Sequence, residues 1–264
     1  MTWKAFKVGP RWNILAPFLL DGFAVSLRTF TVIGVIMAST GVLARINAVS
    51  QAAHEIIRQL WIFLFQFVEC INISNQAIMA TALGLKQYEY AFQVAKRHLI
   101  YAVAIVSTVA VAVVLQQHWL LGRFTRDAVI IATASTAIPL VAAAFPLDAV
   151  SSILDGTLTA AGQAKWTAIN TTVTAGFTLV ALLGAERLIT MSLLRVWLFL
   201  KTMTVLRLPM LIQRTFLSAD SPFSKSSRVQ AQLAPAGDAE RTAAQAVPIP
   251  GQEDMTHEVA ERAA

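Results

Sequence analysis

Ionisable side chains stand at helical spacing inside apolar stretches of this sequence, and these are its best candidates for chemistry. At about 100° per residue, Glu55, Arg58, Gln66, Glu69, Asn72 and Gln76 fall on one face of a segment whose other side carries Ile57, Leu64, Phe67 and Ile71. Asp148, Ser151, Ser152 and Asp155 share a second face, continued by Thr159 and preceded by Pro139 and Pro146. A carboxylate in such surroundings can take up a proton or a metal cation. Amides and hydroxyls beside it can hold a polar solute. Placing an ionisable group at mid-membrane costs roughly 2.5–3.5 kcal/mol on insertion scales, so each such residue needs a reason to be there. For Asn72 and Gln76, hydrogen bonding between neighbouring helices is an equal alternative. For Asp155 the alternative is a helix cap near Gly156. Glu69 and Asp148 read as functional, because packing contacts do not need a carboxylate.

A third apolar segment carries Arg195, Lys201 and Arg207, which share no face. Arg207 is expected to snorkel to the headgroups. Lys201 lies near mid-span and needs a partner, for which a carboxylate on a neighbouring helix is one candidate.

The elements that must position these groups are long apolar runs. Hydrophobic residues make up 56% of the 264-residue chain and charged residues 14%, against about 25% charged in a soluble domain. Six runs can be read: Val25–Leu43, Ile56–Leu83, Leu99–Leu115, Ala128–Leu158, Trp166–Leu183 and Ile189–Met210. About 20 mostly apolar residues cross the hydrocarbon. Backbone groups in lipid must be satisfied internally, so each run is predicted to be a helix. The fold class is therefore all-α and polytopic, with a bend expected beside Pro146. A bent helix with carboxylates beside the bend suits a cation or substrate site at the midplane.

Three regions follow: a membrane-proximal segment 1–24, a six-helix lobe 25–214 and a tail 215–264. The N-terminal segment carries Lys4, Lys7 and Arg11 before a short apolar stretch, but no A-x-A-like cleavage site follows. The tail is rich in Pro, Ala, Ser and Gln and is predicted to be disordered. From Gln213 onward it holds five basic and seven acidic residues, a net of −2, so the overall +6 leaves +8 on the preceding part. Those bases flank apolar runs and form no stripe, which favours a lipid bilayer over nucleic acid as the partner. Lys86, Lys96, Arg97 and Lys165 join the N-terminal bases on one side, opposite Arg45, Arg123, Arg126 and Arg187. The positive-inside rule then puts both termini on the cytoplasmic or stromal side. Trp61, Trp119, Trp166 and Trp197 are expected at the interfaces. No nucleophile–base pair or metal spacing appears, so the chain does not read as an enzyme and no cofactor is expected.

The stretch AAHEIIRQLWIFLFQFVECINISNQAIMA, Ala52 to Ala80, resembles the eighth transmembrane helix of multidrug and toxic compound extrusion (MATE) transporters. His54, Leu60, Trp61, Gln76 and Ala77 match the family pattern, and Glu69 stands where the family often has Asp. Ser26–Thr29, Phe145–Ala149, Leu154–Gly156, Val196–Trp197 and Leu206–Arg207 resemble motifs of the seventh, tenth and twelfth helices in the same order. The nearest branch is the DinF-like one, with its plant and algal organelle members. Only the second six-helix lobe is matched, over about Leu19 to Arg214.

The resemblance implies cation-coupled antiport, with export of a small organic solute against inward H+ or Na+. It implies a solute facing Glu69, Asn72, Gln76, Asp148, Asp155 and Lys201. It also implies a partner, either an N-terminal MATE lobe or a second copy of the chain, in a plasma or organelle membrane. The family often has Gly where this chain has Arg195 and Phe199, and Lys201 also departs from the pattern. In the alternative reading the chain is a membrane protein without transport activity that acts only through binding partners.

Overall fold

A computed structural model of the chain describes residues 12–218 and 220–224. Seven α-helices run in order: α1 (Trp12–Ile46), α2 (Ala48–Gly84), α3 (Tyr88–Leu115), α4 (Gln117–Phe124), α5 (Ala128–Ala160), α6 (Ala164–Leu188) and α7 (Leu193–Ile212). A π-helical turn, Gln213–Leu217, follows α7. Six of the helices are long and apolar enough to cross a membrane. The short α4 is an addition to the six runs, because eight residues are too few to leave a span-length hydropathy signal. The first helix begins at Trp12, well ahead of Val25, so the helical part of the 1–24 segment is continuous with α1. Residues 225–264 of the tail lie outside the described residues.

Helix ends follow their local sequence. Asn47 sits in extended backbone before α2 and accepts from the Ser50 amide at 2.7 Å. Asp127 caps α5 by accepting from the Val129 amide at 2.8 Å. Both satisfy amides that the first helical turn leaves open. The turns from α2 to α3 and from α5 to α6 are built alike. A residue of positive φ closes each helix, Lys86 at 61° and Gly162 at 76°. The next amide reaches back into the helix, Gln87 to the Ala82 carbonyl and Gln163 to the Leu158 carbonyl, each at 2.9 Å. Gly162 adopts this conformation freely, whereas Lys86 carries the left-handed cost of about 1–2 kcal/mol.

The helix α5 is the hub, packed against α2, α3 and α7, while α1 lies along α6. Small residues on α5 allow this: Ala134, Ala137 and Ala149 are fully buried and let neighbouring backbones approach. Pro139 and Pro146 both lie inside its helix. One apolar cluster joins Val42 and Leu43 of α1, Ile57 of α2, Ile138 of α5, Leu182 of α6 and Val196 of α7. A second joins Val68 of α2 to Val106 of α3 and to Phe145 and Ile153 of α5. Gly156 marks the closest approach of α5 to α2. A Cβ built there would fall 3.0 Å from both Cγ of Asn72 and Cγ of Gln76, and closer still to the Asn72 Oδ1. Gly156→Ala is therefore expected to push these two side chains aside and to cost about 1–3 kcal/mol, as overpacking does. The check is a lowered melting temperature in detergent, with Gly184→Ala, which has open space, as the neutral control.

Two tryptophans correct the interfacial expectation. Trp197 is buried against His54, with ring centroids 5.5 Å apart, and Trp61 points at a buried carboxylate. The Trp61 N–H donates to Asp148, and the Trp197 ring fills the interior with its apolar body. Trp119 is exposed at the end of the lobe, where an interfacial ring belongs.

Candidate functional site

A cavity of about 370 Å³ opens among α1, α2, α5 and α7. Its α2 wall carries Glu69, Asn72 and Gln76, and its α5 wall Asp148, Ser151, Ser152, Asp155, Gly156 and Thr159. The two polar faces read from the sequence thus look into one space. Gln66 is the exception: it is exposed and off this wall, because it falls at the edge of a stripe centred on Glu69. Glu55 and Arg58 pair with each other one turn apart. Arg58 borders a smaller chamber of about 60 Å³ beside His54. The helix-joining role weighed for Asn72 and Gln76 belongs instead to Asn75, which is fully buried. Its amide donates to the Ile153 carbonyl at 3.3 Å and to Thr157 Oγ1 at 3.0 Å.

Each carboxylate of the cavity has its own surroundings. Asp148 accepts from three donors. Its Oδ2 accepts from Lys201 Nζ at 2.5 Å and from Trp61 Nε1 at 3.0 Å, and its Oδ1 from Thr204 Oγ1 at 2.7 Å. The ammonium also lies over the Trp61 ring, 5.0 Å from its centroid, a cation–π geometry. Lys201 thereby has its partner across the α5–α7 contact. Asp155 pairs with Arg207 and, at 3.7 Å, with Arg28 of α1. Glu69 differs: it accepts from Asn72 Nδ2 at 3.1 Å and from Ser152 Oγ at 3.3 Å, both neutral donors.

The Asp155 pair overturns the expectation that Arg207 snorkels to the headgroups. The guanidinium side chain is only 11% exposed and turned into the protein, where the Asp155 carboxylate on α5 pairs with it. Lys201 and Arg207, six positions apart, do not share a helical face, yet their long side chains both reach α5. Three acids (Glu69, Asp148, Asp155) and two bases (Arg28, Arg207) therefore line one cavity, and Lys201 joins the network by reaching Asp148 from the smaller chamber. Buried charges persist when paired in this way.

Sequence reasoning passed over Arg28, Thr204 and Trp61 as site residues. Trp61 had a signal, since it lies on the same stripe as Phe65, Glu69, Asn72 and Gln76 at three- and four-residue steps. Arg28 and Thr204 had none, because each has only one further polar neighbour from its helix on this wall, Thr29 and Arg207, and no repeated polar face marks either segment.

The geometry has counterparts among known proteins. A model of the family described as MatE matches residues 24–183. Protein DETOXIFICATION 42 of Arabidopsis thaliana is 27% identical over 139 residues, 53% of this chain and 27% of that protein. Protein DETOXIFICATION 43 of the same plant is 25% identical over 190 residues, 72% of this chain and 36% of that protein. The chloroplastic Protein DETOXIFICATION 45 is 26% identical over 141 residues, 53% of this chain and 25% of that protein. The chain thus spans between a quarter and about a third of the length of these relatives. A solved MOP superfamily transporter from Pyrococcus furiosus shares the fold, with a TM-score of 0.68 at 13% identity over 86% of this chain and 49% of that one. Six membrane-length helices, an inward-facing polar cavity and a family match across more than half of the sequence agree: this multi-pass integral membrane protein belongs to the MatE family, a family of membrane transporters.

Proposed function

We propose that the chain forms one lobe of a cation-coupled antiporter that exports a small organic solute, and that Glu69 carries the coupling cation, H+ or Na+. The observation behind this reading is the unequal treatment of the three cavity acids. Asp148 and Asp155 each hold a basic side chain, which competes with any incoming cation. Glu69 has neutral hydrogen-bond donors and faces the open cavity, and Arg28, whose contact is with Asp155, acts on it only through space, so it can accept a cation without first breaking an ion-pair contact. Uptake of a proton there upsets the balance of three acids against three bases. A charge change in a low-dielectric cavity is costly, and such a change is what can bias a lobe between two arrangements. Asn72, Gln76, Ser151 and Ser152 supply the polar contacts for the solute. The opposing wall comes from a second lobe, either an N-terminal MATE lobe or another copy of this chain. The cytoplasmic or stromal placement of the termini, and residence in a plasma or organelle membrane, belong to the same proposal.

Glu69→Gln tests it. The amide keeps the size of the side chain but removes its charge. In an assembly with both lobes, gradient-driven transport is expected to fall about tenfold or more, since the group can no longer hold a cation. Membrane insertion is expected to stay normal. Glu55→Gln, at the end of a local ion pair off the cavity, is the control and should transport like the parent. Parental transport by Glu69→Gln, with unchanged dependence on pH and Na+, would remove Glu69 from the mechanism.

A further inference from the structure

The end of the lobe opposite the α2–α3 and α5–α6 turns carries an arginine-lined cleft that shares no residue with the central cavity. Its volume is about 460 Å³, and it is lined by Arg45 of α1, by Glu186 and Arg187 of α6, and by Thr190 of the α6–α7 link. Arg45 uses a single nitrogen, Nη1, for both carboxylate oxygens of Glu186, at 2.9 and 3.1 Å. That arrangement is not the two-pronged fork of a saturated Arg–carboxylate pair. It leaves the rest of the guanidinium available, and the side chain is 71% exposed. Arg187 is exposed beside it. Arg195 donates to both the carbonyl and the hydroxyl of Thr190. It braces Thr190, a residue of the cleft wall, from outside the lining. Two cations, Arg45 and Arg187, thus share the cleft with one carboxylate.

The depth and the rim identify the ligand. Arg45 and Arg187 occupy the last turns of α1 and α6. The 25 residues of α6 extend about 37 Å at ~1.5 Å per residue, enough to carry its end past a hydrocarbon core of about 30 Å to headgroup level. Leu188 and Ile189 at the rim are exposed and continue the lipid-facing surface. A cleft with net positive charge at headgroup depth and an apolar lip has the chemistry of a phospholipid site. Guanidinium suits phosphate because it is planar and always charged. We infer that this cleft binds the phosphate of an anionic phospholipid, with Arg45 and Arg187 as its ligands and Glu186 as an internal competitor.

The test uses the full chain in detergent with equal amounts of phosphatidylglycerol and phosphatidylcholine, read by native mass spectrometry. One phosphatidylglycerol per chain is expected to be retained in preference to phosphatidylcholine. Arg187→Gln is expected to weaken that retention about fivefold, the usual contribution of one basic residue near an anionic surface. Glu186→Gln is expected to strengthen it, since it frees Arg45 and adds net positive charge. The Glu186 variant separates binding from a structural role, because loss of the Arg45 pair alone would not tighten lipid retention. Inorganic phosphate at millimolar concentration is expected not to displace the lipid, because it lacks the acyl chains that contact the rim. Equal retention of both lipids, no change in Arg187→Gln, or weaker retention in Glu186→Gln would each overturn the inference. Displacement by inorganic phosphate would reassign the cleft to a free anion.

Discussion

Lys201→Met is expected to destabilise the lobe by about 3–5 kcal/mol, the usual cost of removing one partner from a buried ion pair. The two side chains are 7% and 5% exposed, so solvent screens little of the interaction. Methionine fills much of the same space but leaves Asp148 with only Trp61 and Thr204 as donors. The carboxylate then has to be protonated or draw water between α5 and α7. Adding Asp148→Asn should recover most of the loss, because the penalty comes from the unpaired charge and not from the missing contact. The measurement is thermal unfolding in detergent of the parent, both single variants and the double variant. The cycle is expected to show a coupling of more than about 1 kcal/mol between the two positions. Parental melting of Lys201→Met would mean that α7 is held by its apolar contacts and that water already reaches Asp148.

Reconstituted in liposomes as a monomer, the chain is expected to show no gradient-driven solute movement above that of empty vesicles. In folds of this kind alternating access works by one half rocking against the other around a site at their interface. The cavity here has walls from α1, α2, α5 and α7, with Thr171 of α6, all from a single lobe. The solved transporter that shares the fold is about twice as long as the matched region. Transport that appears only with a first lobe, or only in a dimer, would support the proposal. Gradient-driven uptake by a chain shown to be monomeric would overturn it. Loss of activity in Glu69→Gln within the complete assembly then tests coupling separately from the need for a partner.

The residues around the cavity show how far composition and spacing reach. Glu69, Asn72 and Gln76 were legible as a group because helical periodicity places them on one face whatever the surroundings. Asp148, Ser152 and Asp155 were legible for the same reason. That both faces meet in one space needed the packing of α2 against α5, and Gly156 permits it at a point where any Cβ would collide with Asn72. Arg207 was misread because snorkelling follows from helix position alone, whereas its real partner lies 52 positions away in sequence.

The sequence by itself determined that this is a multi-pass α-helical membrane protein, because span-length apolar runs in lipid leave the backbone no other way to satisfy its hydrogen bonds. It also determined which faces of two helices are polar and, through its family resemblance, which kind of lobe they build. Only the tertiary structure decided which acid is paired with which base. Lys201 was equally able to meet Glu69, Asp148 or Asp155. The contact of α7 with α5 brought it to Asp148 and Arg207 to Asp155, leaving Glu69 with neutral hydrogen-bond donors. Pairing between helices depends on their register and rotation. These are set by many small packing contacts that carry no periodic signal in any one segment.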